Sequence, residues 1–205
     1  MRPLFLHAQG ILEVSNLGKS PTNSMAIGND SWIAQAFYVE GGGADTNIYN
    51  LNSVQLLLDA ASGSPSNLTV SIYTEPFGGG PPQTNLGALT LNSSMDPIAG
   101  GIVTYNASGI TIVPGNAYFV VATAATSIAQ GAYQWSSSTK ETDNGTWVID
   151  DVYYNSSDGS SWTKTIRQDV FQMAIYATPI PEPQIYALLG LSLAYVGFRR
   201  FRRSK

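Results

Sequence analysis

The chain of 205 residues contains no cysteine. Disulfide bridges, thiolate metal ligands and a cysteine nucleophile are therefore excluded. Its single histidine, His7, lies in a leading segment expected to be removed. The remaining body then offers no histidine base for a catalytic triad and no His-ligated zinc. Charged residues are scarce, at 12%, and unevenly divided. Outside residues 179–205 there are five basic and thirteen acidic residues, a net charge of −8. Nucleic acid is gripped through clustered Lys and Arg, so no nucleic-acid partner is expected for such a body. No stretch of the body keeps a 3.6-residue apolar period, and no segment repeats, which argues against a helical bundle or a solenoid.

What is present is strand after strand, broken by Gly, Pro, Asn and Ser. Residues 32–39 (WIAQAFYV) and 117–124 (AYFVVATA) are apolar on both alternating sets, as strands buried on both faces would be. Residues 49–59 alternate, with Leu51, Ser53, Gln55, Leu57 and Asp59 opposite Val54, Leu56 and Leu58. Leu68, Val70 and Ile72 alternate with Thr69, Ser71 and Tyr73, and a Gly- and Pro-rich loop follows at 76–82. Shorter candidates are 86–91, 102–105 and 110–113, the last leading into the turn Pro114-Gly115-Asn116. Tyr133 and Trp135 share a face of the next strand, and Phe171, Met173 and Ile175 share one in the closing strand, 170–177. Nine or ten short strands at intervals of about 8–15 residues predict an all-β protein, a single antiparallel β-sandwich of jelly-roll-like form. The sandwich is expected over 9–178, a length that suits one domain with a sizeable core.

After a proline-rich spacer come Pro181-Glu182-Pro183, an apolar run at 185–198, and the cluster Arg199, Arg200, Phe201, Arg202, Arg203, Ser204, Lys205. The run has 14 residues, whereas a helix crossing a bilayer needs about 20. It has no polar face, which argues against an amphipathic surface helix. Basic residues in such a position are retained on the cytoplasmic side, leaving the preceding chain outside. These three pieces in this order resemble the PEP-CTERM sorting signal of exported bacterial proteins. The resemblance covers 179–205 and implies a short hydrophobic helix, passage through the inner membrane and recognition by exosortase, a membrane protease-transpeptidase. Pro181, Glu182, Pro183, Arg199, Arg200, Arg202 and Arg203 would carry that recognition. Residues 1–8 (MRPLFLHA) look like the trailing end of a signal peptide, with cleavage after Ala8. A fuller signal upstream is expected.

The body carries a second resemblance, spread over residues 25–177. Residues 32–37 (WIAQAF), 51–56 (LNSVQL), 70–73 (VSIY), 113–120 (VPGNAYFV) and 158–162 (DGSSW) are similar to the choice-of-anchor R domain. Its members are bacterial surface domains coupled to alternative C-terminal anchors, with no established activity.

Candidate chemistry is thin. Glu141, Asp143, Asp150, Asp151 and Asp158 could offer oxygen ligands to calcium, but no Asp-x-Asp-x-Asp-Gly loop is present. Asp143-Asn144-Gly145 and Asp158-Gly159 read better as turns, so no cofactor is expected. Residues 156–162 (SSDGSSW) are reminiscent of the Asp-box hairpin, a folding element. Asp150 and Asp151, as strand neighbours, would point to opposite faces and could not flank one glycosidic bond. Trp147, Asp151 and Tyr153 would share one face. A carboxylate beside an indole suggests an exposed site for a sugar's apolar face and hydroxyls, with Trp147 more exposed than Trp135. The reading is thus a non-catalytic exported surface or matrix protein, sorted by exosortase and associated with exopolysaccharide or biofilm. The alternative is a carbohydrate-active enzyme, glycosidase or lyase, on the same sandwich.

Overall fold

A computed structural model describes residues 10–39, 47–92, 95–139, 144–166 and 169–181. In chain order its strands are β1 (Ile11–Ser15), β2 (Asn23–Ile27), β3 (Trp32–Val39), β4 (Tyr49–Gly63), β5 (Thr69–Thr74) and β6 (Asn85–Ala88). Then come β7 (Thr90–Leu91), β8 (Gly101–Asn106), β9 (Thr111–Ile112), β10 (Ala117–Thr123) and β11 (Gly131–Thr139). The last are β12 (Asn144–Gly145), β13 (Trp147–Ser156), β14 (Thr163–Ile166), β15 (Asp169–Phe171) and β16 (Met173–Pro179). They form two antiparallel sheets packed face to face as a sandwich. The expected C-terminal helix and the leading segment 1–8 lie outside the described residues.

The six-stranded sheet runs β14-β13-β3-β10-β5-β6. Its centre is β3 paired with β10, the two segments whose both faces are apolar. The ten-stranded sheet follows β12-β1-β16-β4-β11-β15, with β2 added to β11, β8 and β9 to β4, and β7 to β8. The segment expected as one strand at 86–91 divides between the sheets. Its first part, β6, pairs with β5, and its second, β7, pairs with β8. Leu89 at the crossing is buried. The closing strand also divides, at Gln172, whose N–H bonds to Ser136 O and whose carbonyl accepts from Leu57 N–H.

Strict alternation along β4 would place Leu51 opposite Val54, Leu56 and Leu58, yet all four are buried in one core. The pairing with β16 explains this: Tyr176 faces Ser53 and Ala177 faces Leu51, so Asn52 is an extra residue in the ladder. A bulge of one residue reverses the facing of everything beyond it. Leu51 thereby reaches the same interior as Val54, Leu56 and Leu58, while Leu57 beyond the bulge is half-buried.

The main core lies between the sheets and includes Ile33, Phe37, Val120, Trp135, Trp147 and Ile175. A second apolar cluster sits on the opposite, outer face of the six-stranded sheet, built from Ala34, Ala36, Phe119, Val121 and Tyr154. The alanines of β3 leave room there. Tyr154 from one neighbouring strand and Phe119 from the other meet edge-to-face, 5.5 Å apart. Half-buried Trp32, Tyr73, Val152 and Trp162 pack around them.

Candidate functional site

The expected sugar-binding face is not a surface. Trp147 is 2% exposed, stacked on Phe37 at 6.0 Å and 7° between planes, with Tyr49 edge-on at 5.3 Å. Phe37 stacks in turn on Tyr118. Tyr153 is buried too, edge-to-face with Phe171 at 5.1 Å. The expected contrast with Trp135 therefore fails, because both indoles are core residues. Trp135 donates its Nε1–H to Gln172 O at 2.9 Å, whereas buried Trp147 Nε1 finds no partner among the described residues.

The physical reason is an irregularity in β13. Ile149 pairs with Phe37 and Tyr153 with Gln35, so three residues of β3 (35–37) run alongside five of β13 (149–153). Between these pairs Asp150, Asp151 and Val152 leave the ladder with β3, while Val152 stays paired with Ile166 of β14. All three are half-buried. Trp147 and Tyr153 keep their inward facing on either side, while Asp151 is displaced with the bulge. The carboxylate that argued for an exposed Trp147 is thus no neighbour in the regular sense. Alternation holds only where the ladder is unbroken.

Gln35 holds the bulge in place, and it is the residue that alternation alone passed over. It is fully buried in the middle of an otherwise apolar strand. Its Nε2 donates to Asp150 O at 2.7 Å and Val152 O at 3.2 Å, two carbonyls that the bulge frees from the ladder. Its Oε1 accepts from Phe171 N–H at 3.0 Å, in β15 of the opposite sheet. One amide therefore satisfies the broken ladder of one sheet and ties it to the other. The visible signal was a Gln where only apolar residues pack.

Among the described residues the acidic groups do not converge. Among the described residues no group of three or more His, Asp or Glu could hold a metal ion. Glu141 and Asp143 lie outside the described residues, Asp150 and Asp151 sit in the bulge, and Asp158 follows the far end of β13. Asn144 and Gly145 form β12, paired with Ser15 and Val14, rather than a turn of their own. Gly145 has φ 118°, and a Cβ there would run into the backbone carbonyl of Glu13.

Asp158 organises its turn. Its Oδ1 accepts from Ser160 N–H at 2.8 Å, Ser161 N–H at 2.7 Å and the Ser156 hydroxyl at 2.9 Å. Those backbone N–H groups hold its carboxyl well below the usual carboxylate range. Gly159 (φ 71°) passes against Trp32, whose ring atoms would lie 2.9 Å from a Cβ at that position. Trp162 meets the same indole edge-on at 6.4 Å. The turn is thus anchored on the outer apolar cluster as a folding element.

One pocket, lined by Asn23, Ser24, Met25, Ser137, Tyr153, Asp169 and Phe171, holds about 20 Å³, room for about one water. Of the expected sorting residues, Pro181 is described, while Glu182, Pro183, Arg199, Arg200, Arg202 and Arg203 lie outside the described residues. In comparison with known proteins, no family model and no curated protein matches the chain. The two resemblances therefore rest on the quoted residues themselves.

Three variants follow from this geometry. Trp147→Ala should cost about 3–5 kcal/mol, the range for a buried aromatic cut to Ala, read from urea unfolding. Gln35→Leu keeps the volume but strands two carbonyls and one N–H. At about 1–3 kcal/mol for each buried group left unpaired, it should destabilise by about 3 kcal/mol or more. Asp158→Asn tests the turn through pH. A carboxyl whose folded pKa is depressed contributes stability that is full above its unfolded value of about 3.9 and declines as pH falls towards the folded one. The melting-temperature gap between wild type and Asp158→Asn should be constant above about pH 5 and narrow below about pH 4.

Proposed function

We propose that the chain is a non-catalytic exported protein of the cell surface or extracellular matrix, sorted through its tail by an exosortase. The observation that carries this reading is the order Pro181-Glu182-Pro183, apolar 185–198, then Arg199, Arg200, Arg202 and Arg203. The body is consistent with that division of labour. Its last ladder strand ends at Pro179, Ile180 N–H still bonds to Ile48 O at 2.7 Å, and the Pro-Glu-Pro motif follows at once. Pro181, the first residue of that motif, is exposed at the end of the sandwich. Among the described residues no helix is long and apolar enough to cross a membrane.

The alternative, a glycosidase or lyase, needs a sugar-sized cleft with two carboxyl groups about 5–10 Å apart. The pocket beside Asp169 is lined by that one carboxylate, so it does not supply such a pair. The sandwich instead reads as a displayed domain, placed where extracellular polysaccharide is its neighbour.

Mass spectrometry of the mature surface protein should recover peptides up to about residue 184 and none containing Arg199 to Arg203. Glu182→Ala, or loss of the exosortase, should leave the tail attached and the protein in the membrane fraction. Intact tail peptides on mature wild-type protein would instead mark a plain membrane anchor.

A further inference from the structure

The two ends of the sandwich differ in character. At the end where the body meets the tail, Ile180 bonds to Ile48 across the ladder, and Ile11 begins β1 opposite Ala177. Val113 follows β9, which pairs with the start of β4, and its N–H bonds to the Tyr118 hydroxyl at 2.9 Å. Beside it, Thr74 pairs with Tyr118 and Glu75 N–H bonds to Ala117 O, so the turn carrying Phe77 juts from the same end. Phe77 is wholly exposed, and Ile11, Ile48, Val113 and Ile180 are each more than a third exposed. Among the described residues of the segments that build this end (10–12, 47–50, 75–84, 113–116 and 177–181) Glu75 is the one charged residue; the connection from β3 to β4 at 40–46, with Glu40 and Asp45, lies outside the described residues. The Glu75 Oε1 is engaged by Gly80 N–H. The other end also exposes isoleucines, Ile98 and Ile128, but each has a carboxylate on its own N–H, Asp96 and Asp30 respectively.

From this we infer that the tail-proximal end of the sandwich is a lipid-facing foot, seated in the headgroup region of the bilayer that holds residues 185–198. The inference rests on the proposed membrane passage of that segment and adds what the folded body does while it is tethered. Length decides it. From Ile180 to Ile185 the chain spans at most roughly 17 Å at full extension. The headgroup layer takes up about 6 Å of that on each side of the hydrocarbon core. The foot is thus held within about 10 Å of the membrane surface, close enough for exposed Ile, Val and Phe to enter the headgroup boundary as peripheral anchors do. An end without basic residues gains by apolar burial rather than by attraction to anionic lipid. The −8 body keeps its acidic remainder in water. The eight-residue β3 alone is about 27 Å long, which sets the far end well clear of lipid.

The absence of cysteine makes the test clean. Phe77→Cys, Val113→Cys and Ile128→Cys in the full chain would each carry a nitrobenzoxadiazole label. The proteins would be reconstituted into phosphatidylcholine–phosphatidylglycerol vesicles with and without doxyl-labelled phosphatidylcholine. Labels at 77 and 113 should shift to the blue and lose intensity to the doxyl quencher, while the label at 128 does neither. Leu193→Cys reports on the tail in the same vesicles. Quenching at 193 with 77 and 113 as water-exposed as 128 would overturn the foot and leave the tail reading standing. No quenching at 193 would overturn both. A blue shift at 77 that grows with protein concentration without vesicles would replace the bilayer with a second copy of the chain.

Discussion

The sandwich depends on one buried amide. Where β13 departs from β3, two half-buried carbonyls lose their ladder partners, and a backbone acceptor left without one is expensive. Gln35 meets both and spends its own carbonyl on Phe171 of the facing sheet. With that amide in place, β13 can break its ladder with β3 without opening the core. Trp147 and Tyr153 then stay inside on either side of the break, each locked by ring contacts to a residue of another strand. An apolar substitute at 35 would fill the space and fail the chemistry.

This also explains what could be read in advance and what could not. Strands β3 and β10 were legible because apolar residues occupy both alternating sets, which admits only a strand covered on both faces. Both are: the main core lies on one side and the Phe119–Tyr154 cluster on the other. The sandwich class was legible for a related reason, since short apolar segments separated by turn residues leave few other ways to bury them. The sugar site was misread because alternation was carried through β13 as if its ladder were continuous. Two apolar sets on β4 were a comparable hint of the bulge at Asn52. Gln35 was the corresponding hint for β13, visible only as a polar residue out of place.

The foot was hidden for a different reason. Phe77 lies in a Gly- and Pro-rich loop, Val113 before a turn, Ile48 and Ile180 at strand ends, each unremarkable alone. They become one surface only when topology brings five chain segments to the same end. Local pattern reports which way a side chain faces within its element. It does not report which loops become neighbours, and the character of that end belongs wholly to the second kind of information.

The position of β16 has a consequence for how the chain reaches its native state. This strand is the last of the body in sequence, yet it lies between β1 and β4 rather than at an edge. The ten-stranded sheet therefore cannot grow outward in the order in which the chain emerges. Until residues 173–179 arrive, β1 and the first half of β4 present unpaired edges to each other across a gap one strand wide. Such long-range closure is slow and comes late. A chain threaded across a membrane from its amino end would remain incompletely folded, and so passable through a narrow channel, until the strand next to its own tail had come through.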